Sequence, residues 1–522
     1  MLTRRPSIGR VDWPSLPLHP IGVAAFPVVF LFAENVVQQI SLQPLWGPLA
    51  LSVLGGFATF LVCSMLLRDW PRGALLASLL LAGFFSFGHA WNLLSDVLPR
   101  LRYLVAAYGL VVLAGALLIW RGGRWVRPLT TFLNAAVILL IAFNAFRIGE
   151  FALGAGSTIA GGPEPTPAVE VDESAPRRDI YYIVLDRYAN AETLRTIYDH
   201  DNTPFLEELE QRGFAIAEDA WANYWKTAFS LMASLSMDYL DPAHYDTSEP
   251  PTFAPLHRAL QGHLAVPVTL KSLGYEYIHL GNYWAPTNTN VDADLSLRYE
   301  DATEFDDALR STTALMLLAA PAGDDQDDET APYADLARGT TFATFEYLEQ
   351  AADRAGPTFV FAHFLLPHPP YVFDTDGSLP TLEETEGRSE EEQYIRQLEW
   401  TNRRILEAID RLLDAPAGEE PIILLQADEG PWPPEFNDDQ RFFDWLAASP
   451  DHLQQKFGIL NAFHLPGVDA VEAGVTDRTS PVNEFRIVMN AYFGADLPLL
   501  PDRVLLSPDY ARMYDFVEHQ RE

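Results

Sequence analysis

The chain has 522 residues, too many for one ordinary core, and carries 35 basic against 71 acidic side chains, a formal charge of −36. So acidic a surface repels nucleic acid and excludes it as a partner. The one cysteine, Cys63, excludes an intrachain disulfide and any thiol-based metal site.

The charge is divided along the chain. Residues 1–150 hold eleven arginines, no lysine and five acids, and the remainder is near −42. Five apolar runs fill the first part, roughly 20–40, 46–67, 73–94, 103–120 and 129–148. Each approaches the ~20 residues that cross a hydrocarbon core. Glu34, Asn35, Gln38 and Gln39 end the first run, as an outer end or as a polar face inside a bundle. Arg4, Arg5, Arg10 and the turns Arg68–Arg72 and Arg121–Arg127 belong on one side of the membrane, with Arg100 and Arg102 opposite. The positive-inside rule then places the N-terminus in the cytoplasm, and five spans put everything after residue 150 outside. The predicted division is a transmembrane domain of five helices at 1–150, a Gly/Pro-rich linker at 151–177 and an outer domain at 178–522.

In the outer domain, Ile180–Leu185 is a continuously apolar run ending at Asp186, the pattern of a buried parallel strand. Lys226 and Thr227 precede an apolar segment of helical spacing (Phe229, Leu231, Met232, Leu235), where Thr227 is also a natural N-cap. Further strands are expected at 273–281, 358–364 and 421–428, and an amphipathic helix at 391–413. Helix and strand alternate, which predicts an α/β domain with a mostly parallel sheet flanked by helices. Ligands in such sheets gather beyond the carboxyl ends of strands. Asp186, His363 and the pair Asp428-Glu429 all stand at such ends. Asp186, Thr227, Asp428 and Glu429 would together make an all-oxygen pocket for a hard divalent ion, with Mn²⁺ or Mg²⁺ favoured, Ca²⁺ allowed and Zn²⁺ less suited. Such an ion would activate Thr227 as a nucleophile. Lys226 would steady a phosphoryl group, and His363 or His368, either side of Leu365-Leu366-Pro367, would donate to a leaving oxygen.

In these motifs the chain resembles the alkaline phosphatase/sulfatase superfamily, in its membrane-anchored branch of lipoteichoic acid synthases and phosphoethanolamine transferases. The resemblance covers about 180–495. It is carried by Asp186, by Asn223, Tyr224, Thr227 and Ser230, by His363, His368 and Pro370, and by Asp428, Glu429 and Gly430. It implies that the acid, the threonine and the last pair hold a metal. It also implies that Thr227 accepts a headgroup from a membrane lipid donor, of phosphoglycerol or phosphoethanolamine type, and passes it to a cell-surface glycan or lipid. The stretch from Trp284 through Asn290 and Asp294 resembles the family's substrate-facing loop. The chain departs from the pattern twice, with Asp186 where the transferases carry Glu and Glu429 where they carry His. With water as acceptor the same site is a phosphodiesterase or related hydrolase. If Glu429 prevents metal binding, the domain is a non-catalytic module that binds envelope polymer.

Overall fold

The computed structural model describes residues 16–36, 39, 42–94, 101–159, 169–242, 251–299, 304–319, 334–436 and 443–521. The chain forms two compact units.

The first unit opens with the helices α1 His19–Glu34, α2 Gln43–Leu67, α3 Trp70–Leu94, α4 Leu101–Trp120 and α5 Val126–Ile159. Four of them, α2 to α5, are long and apolar enough to cross a membrane, while α1 has 16 residues. Of the five spans expected, four are matched among the described residues by helices with the length and composition of a span. The polar end of α1 is engaged within the unit, since Glu34 pairs with Arg147 of α5. At the other end, Asn134 Oδ1 accepts the His19 backbone N–H at 2.8 Å and His19 Nδ1 lies 2.7 Å from Ser78 Oγ. Helices Glu304–Ser311 and Met316–Ala319, distant in sequence, also contribute to this unit from Phe305 onward. There Phe305 packs edge-on against Phe32, and Ala314 N–H donates to the Phe84 carbonyl at 2.8 Å. The predicted linker continues α5 to Ile159 at its start, and its centre, 160–168, lies outside the described residues.

The second unit is built on seven strands: β1 Ile180–Leu185, β2 Phe214–Ile216, β3 Glu276–Leu280, β4 Leu295–Leu297, β5 Thr358–Phe364, β6 Ile422–Ala427 and β7 Asn461–His464. Their order is β2-β7-β6-β1-β5-β3-β4. The five strands from β6 to β4 run parallel, and β7 and β2 add an antiparallel edge. Strands β1, β5 and β6 are buried along their whole length, which is why they read as unbroken apolar runs. Their register decides where the chemistry goes. Leu185 stands opposite Phe364 on one side and Ala427 on the other, so Asp186 emerges between the ends of β5 and β6.

Two helices complete the frame. Thr227–Ser236 is buried from Thr227 to Leu235, a helix inside the core rather than on its surface. Its hydroxyls are satisfied locally, Ser230 Oγ donating to the Tyr224 carbonyl and Ser234 Oγ to that of Ser230. Glu390–Leu413 starts at Ser389, whose hydroxyl accepts the Glu392 N–H, with three glutamates in the first turn where the helix dipole favours them. It buries Tyr394, Leu398, Ile405 and Ile409, as the spacing predicts.

Candidate active site

Strand ends β1, β5 and β6 bring three side chains together. Asp186, His363 and Asp428 each offer one ligand atom within 4.8 Å of the others. Their relative exposures are 4%, 0% and 0%. Asp186 Oδ1, His363 Nε2 and Asp428 Oδ2 all lack a hydrogen-bond partner, an expensive arrangement for buried polar atoms. His363 Nε2 stands 3.9 Å from Asp186 Oδ2. Two carboxylates and an imidazole converging with open lone pairs fit a divalent cation. Because the set includes a nitrogen, the all-oxygen argument against Zn²⁺ does not apply to it.

The imidazole is oriented from behind. Thr287 Oγ1 lies 3.0 Å from His363 Nδ1 and donates its one proton to Asn282 Oδ1 at 3.1 Å. With that proton on Asn282, the hydroxyl offers His363 a lone pair to which Nδ1 can donate, leaving Nε2 bare toward the carboxylates; Asn282 Nδ2, 3.2 Å from Nδ1, is a competing donor. Asn282 is itself fixed, accepting from Trp284 N–H at 2.9 Å and donating to the His363 carbonyl at 2.8 Å. Burial, aided by His279, pushes His363 down to about 3, so the ring is neutral at physiological pH. Burial and the neighbouring Glu429 push Asp428 up to about 7, and burial with Asp428 raises Asp186 well above the usual carboxylate range. Two carboxyls that resist ionisation when alone are suited to ionise onto a cation.

Thr227 is the first residue of its helix, and Lys226 in extended backbone occupies the cap without a side-chain capping bond. The Thr227 hydroxyl is thus not spent on capping but lies within hydrogen-bonding reach of the Asp428 carboxylate. The N–H groups of a helix's first turn lack intrahelical acceptors and favour an anion there.

Glu429 stands outside the three-residue cluster. Its Oε1 accepts from Lys456 Nζ at 2.8 Å and from Arg187 Nε at 3.3 Å. Three cations, Lys456, Lys226 and Arg187, outweigh burial and hold Glu429 below its usual value. Lys226 Nζ lies 5.7 Å over the Trp432 ring. Sequence reasoning missed Arg187 and Lys456. The only linear signals were the adjacency of Arg187 to Asp186 and the scarcity of lysine, of which Lys456 is one of three.

His368 is half-buried on a turn containing cis bonds before Pro367 and Pro370. Gln397, fully buried, clamps that turn, donating to the carbonyl of His368 at 3.0 Å and accepting from Val372 N–H at 2.8 Å. His368 Nδ1 contacts the Pro369 carbonyl, which leaves Nε2 as an acceptor. Burial and Arg187 hold this ring well below its ordinary value. Trp284 is half-buried, edge-on to His363 at 5.8 Å and to His257 at 5.6 Å between ring centres. The structure thus gathers Asp186, His363, Asp428 and Thr227, with the Glu429 carboxylate beside them surrounded by the cations Lys226, Arg187 and Lys456.

No family model and no curated protein matches the chain. Solved structures do. The chain is similar to the C-terminal periplasmic domain of EptC from Escherichia coli in complex with zinc, at 11% identity and a TM-score of 0.41, over 67% of this chain and 96% of that one. It is similar to the integral membrane lipooligosaccharide phosphoethanolamine transferase A from Neisseria meningitidis, at 14% identity and a TM-score of 0.38, over 90% and 95%. It is also similar to the lipoteichoic acid synthase LtaP from Listeria monocytogenes, at 12% identity and a TM-score of 0.39, over 68% and 84%. At such identities the side chains, not the likeness, decide what the site does.

Proposed function

We propose that the chain is a membrane-anchored, metal-dependent enzyme of phosphoester chemistry. It moves a phosphorylated headgroup from a lipid to a cell-surface glycan or lipid by way of Thr227. The observation that carries this reading is the convergence of three buried side chains at the strand ends, each with an unpartnered polar atom, with the Thr227 hydroxyl against one of them. Asp186, His363 and Asp428 would hold a divalent ion. When bound, such an ion would neutralise phosphoryl charge and ease ionisation of a nearby hydroxyl.

The chain's own groups do the rest. Thr227 Oγ attacks phosphorus as the P–O bond to the lipid glycerol breaks, and the proton leaving Thr227 ends on the departing glycerol oxygen. The helix N-terminus and Lys226 stabilise the equatorial oxygens, since in-line phosphoryl transfer needs positioning and charge more than covalent help. In the second step an acceptor hydroxyl, or water, attacks phosphorus as the Thr227 Oγ–P bond breaks, its proton ending on Thr227 Oγ, while His368 Nε2 accepts its hydrogen bond and orients it. The arginine pattern of residues 1–150 supports a cytoplasmic N-terminus and an extracytoplasmic domain. The division at 1–150, 151–177 and 178–522 is retained for the sequence, with Phe305 onward contributing to the membrane unit.

The test uses the full chain in detergent with Mn²⁺ or Zn²⁺ and fluorescent phospholipids of different headgroup, followed by intact mass. A headgroup adduct that disappears in Thr227→Ala supports the enzyme, and the lipid that yields it identifies the donor. An unmodified Thr227 in a chain that binds no metal would sink the enzyme and leave the envelope-binding module.

A further inference from the structure

Packed against Glu429, the neighbour of Asp428, is a buried lysine, Lys456, that the proposed reaction leaves unused. Lys456 and Glu429 are 0% and 1% exposed, and a buried ammonium persists only with its charge and donors answered. All three donors of Lys456 have a partner. Glu429 Oε1 lies at 2.8 Å, the Gly430 carbonyl at 3.0 Å, and the Trp432 ring 4.6 Å beneath the charge.

The backbone is shaped to deliver this lysine. Gly430 N–H donates to the Lys456 carbonyl at 2.7 Å, so the two residues clasp each other through both ends. A Cβ on Gly430 would stand 2.2 Å from the Gln455 carbonyl and 2.8 Å from that of Lys456. Glycine is therefore what lets the end of helix Pro450–Phe457 reach the strand end that carries Asp428 and Glu429. Arg187 closes the other side. Its φ of +64° is a left-handed conformation unfavourable for a residue with a Cβ. Its Nε reaches the same Glu429 oxygen while its backbone N–H points at Asp428 Oδ1, 3.4 Å away.

We propose that Lys456 is a resident cation of this site: by holding Glu429 out of the ligand cluster it restricts the centre to one divalent ion, on Asp186, His363 and Asp428. This rests on the reading that the cluster binds a metal. One divalent ion balances the two aspartates. Outside them Glu429 faces Arg187, Lys226 and Lys456, so the surplus positive charge is already supplied by protein. A second ion would have to sit against an ammonium and a guanidinium, and of the one spare carboxylate Oε1 is already shared between them, leaving Glu429 Oε2 alone to meet it. The same surplus suits an anionic phosphoester and makes a second metal unnecessary for binding it.

The experiment counts Mn²⁺ on the full chain in detergent, by calorimetry and by elemental analysis after desalting. The wild type is expected to bind one equivalent, lost in Asp186→Asn. Lys456→Met frees Glu429 to turn toward the cluster, and is expected to tighten Mn²⁺ binding at least tenfold or to add a second equivalent. Lys456→Met combined with Glu429→Gln removes both charges and is expected to restore one equivalent at wild-type affinity. This double variant keeps the test informative if Lys456→Met alone fails to fold. Two equivalents in the wild type would overturn the inference and leave the metal reading standing. So would Lys456→Met with unchanged stoichiometry and affinity, or, where that variant does not fold, a double variant that departs from one wild-type equivalent. No Mn²⁺ on the wild type would overturn the metal reading itself.

Discussion

Thr287→Val isolates the orientation of His363 from everything else in the site. Valine nearly matches threonine in shape but removes the oxygen that takes the His363 Nδ1 hydrogen at 3.0 Å. Asn282 Oδ1 keeps its bond from Trp284 N–H at 2.9 Å, so no acceptor is orphaned. The nearest polar atom left to His363 Nδ1 is Asn282 Nδ2 at 3.2 Å, a donor. The ring therefore moves its proton to Nε2 and turns an N–H toward Asp186 and Asp428. That N–H has carboxylates to meet, so the metal-free protein should unfold at an unchanged temperature. Metal, however, loses one lone pair. Outer partners of metal-bound histidines are worth 10–100-fold in affinity, about 1.4–2.7 kcal/mol. Calorimetric titration of the full chain with Mn²⁺ at pH 7.5 measures this, and Thr287→Ser, which keeps the hydroxyl, should restore binding. A Thr287→Val protein that folds and binds within threefold of wild type would refute both the Nε2 assignment and the place of His363 among the ligands.

Mn²⁺ binding should release at least one proton below pH 7. Asp428 is held near 7 by burial while the metal needs its anion, so affinity should rise about tenfold per pH unit up to that point and then level in a pH-dependent titration. The sign for the metal-free fold is opposite. A carboxyl raised above its unfolded value of 3.8 withdraws stability as pH climbs from about 4 to 7, so thermal melts without metal should fall across that window and recover with Mn²⁺. Gly430→Ala forces a methyl against the Gln455 carbonyl, and urea unfolding should show a loss of about 1–3 kcal/mol along with weakened metal binding. Phe345→Ala, outside the ligand cluster, empties a ring site 4.4 Å from Phe364 and under Arg404. It should cost about 3–5 kcal/mol by the same measure while leaving metal stoichiometry at one.

What the sequence revealed followed from how much side-chain pattern each element contains. Strands β1, β5 and β6 are buried end to end, and their apolar runs announced both the strands and the acids beyond them. Strands β2 and β4 have three residues each and β7 has four, too few for any periodicity to accumulate, so the antiparallel edge was invisible. The helices of the first unit were legible for the opposite reason, since a span repeats one chemical choice for 20 residues or more. That Phe305 and its neighbours contribute to the membrane unit was not legible, because short polar helices such as Glu304–Ser311 look the same wherever they pack. At the site, Asp186 and Asp428 could be anticipated as strand-end carboxylates. The environment of His363 could not, because it depends on β1 lying beside β5 with Val184 opposite His363, a relation absent from linear spacing. Lys456 was hidden for the same reason, being carried to Glu429 by the fit of one helix end against one glycine.

These two hidden relations answer the question that Glu429 raises. A carboxylate in place of an imidazole removes a neutral ligand and adds a charge, and either change alone would damage a metal centre that must also bind an anion. The structure places a separate remedy beside each. His363, on the neighbouring strand, brings an imidazole nitrogen to the two aspartates, from which a cation would gain a neutral ligand. Lys456 and Arg187 absorb the added charge through the oxygen they share. The remedies are also separable by experiment. Restoring the imidazole with Glu429→His should not rescue a His363→Leu protein unless Lys456 is also made neutral, because the ammonium that suits a glutamate repels an imidazole carrying a divalent ion. Metal affinity should therefore be low in Glu429→His/His363→Leu and should rise at least tenfold when Lys456→Met is added. If the third substitution makes no difference, Lys456 is a structural counter-ion with no bearing on the metal, and the charge argument fails at that point.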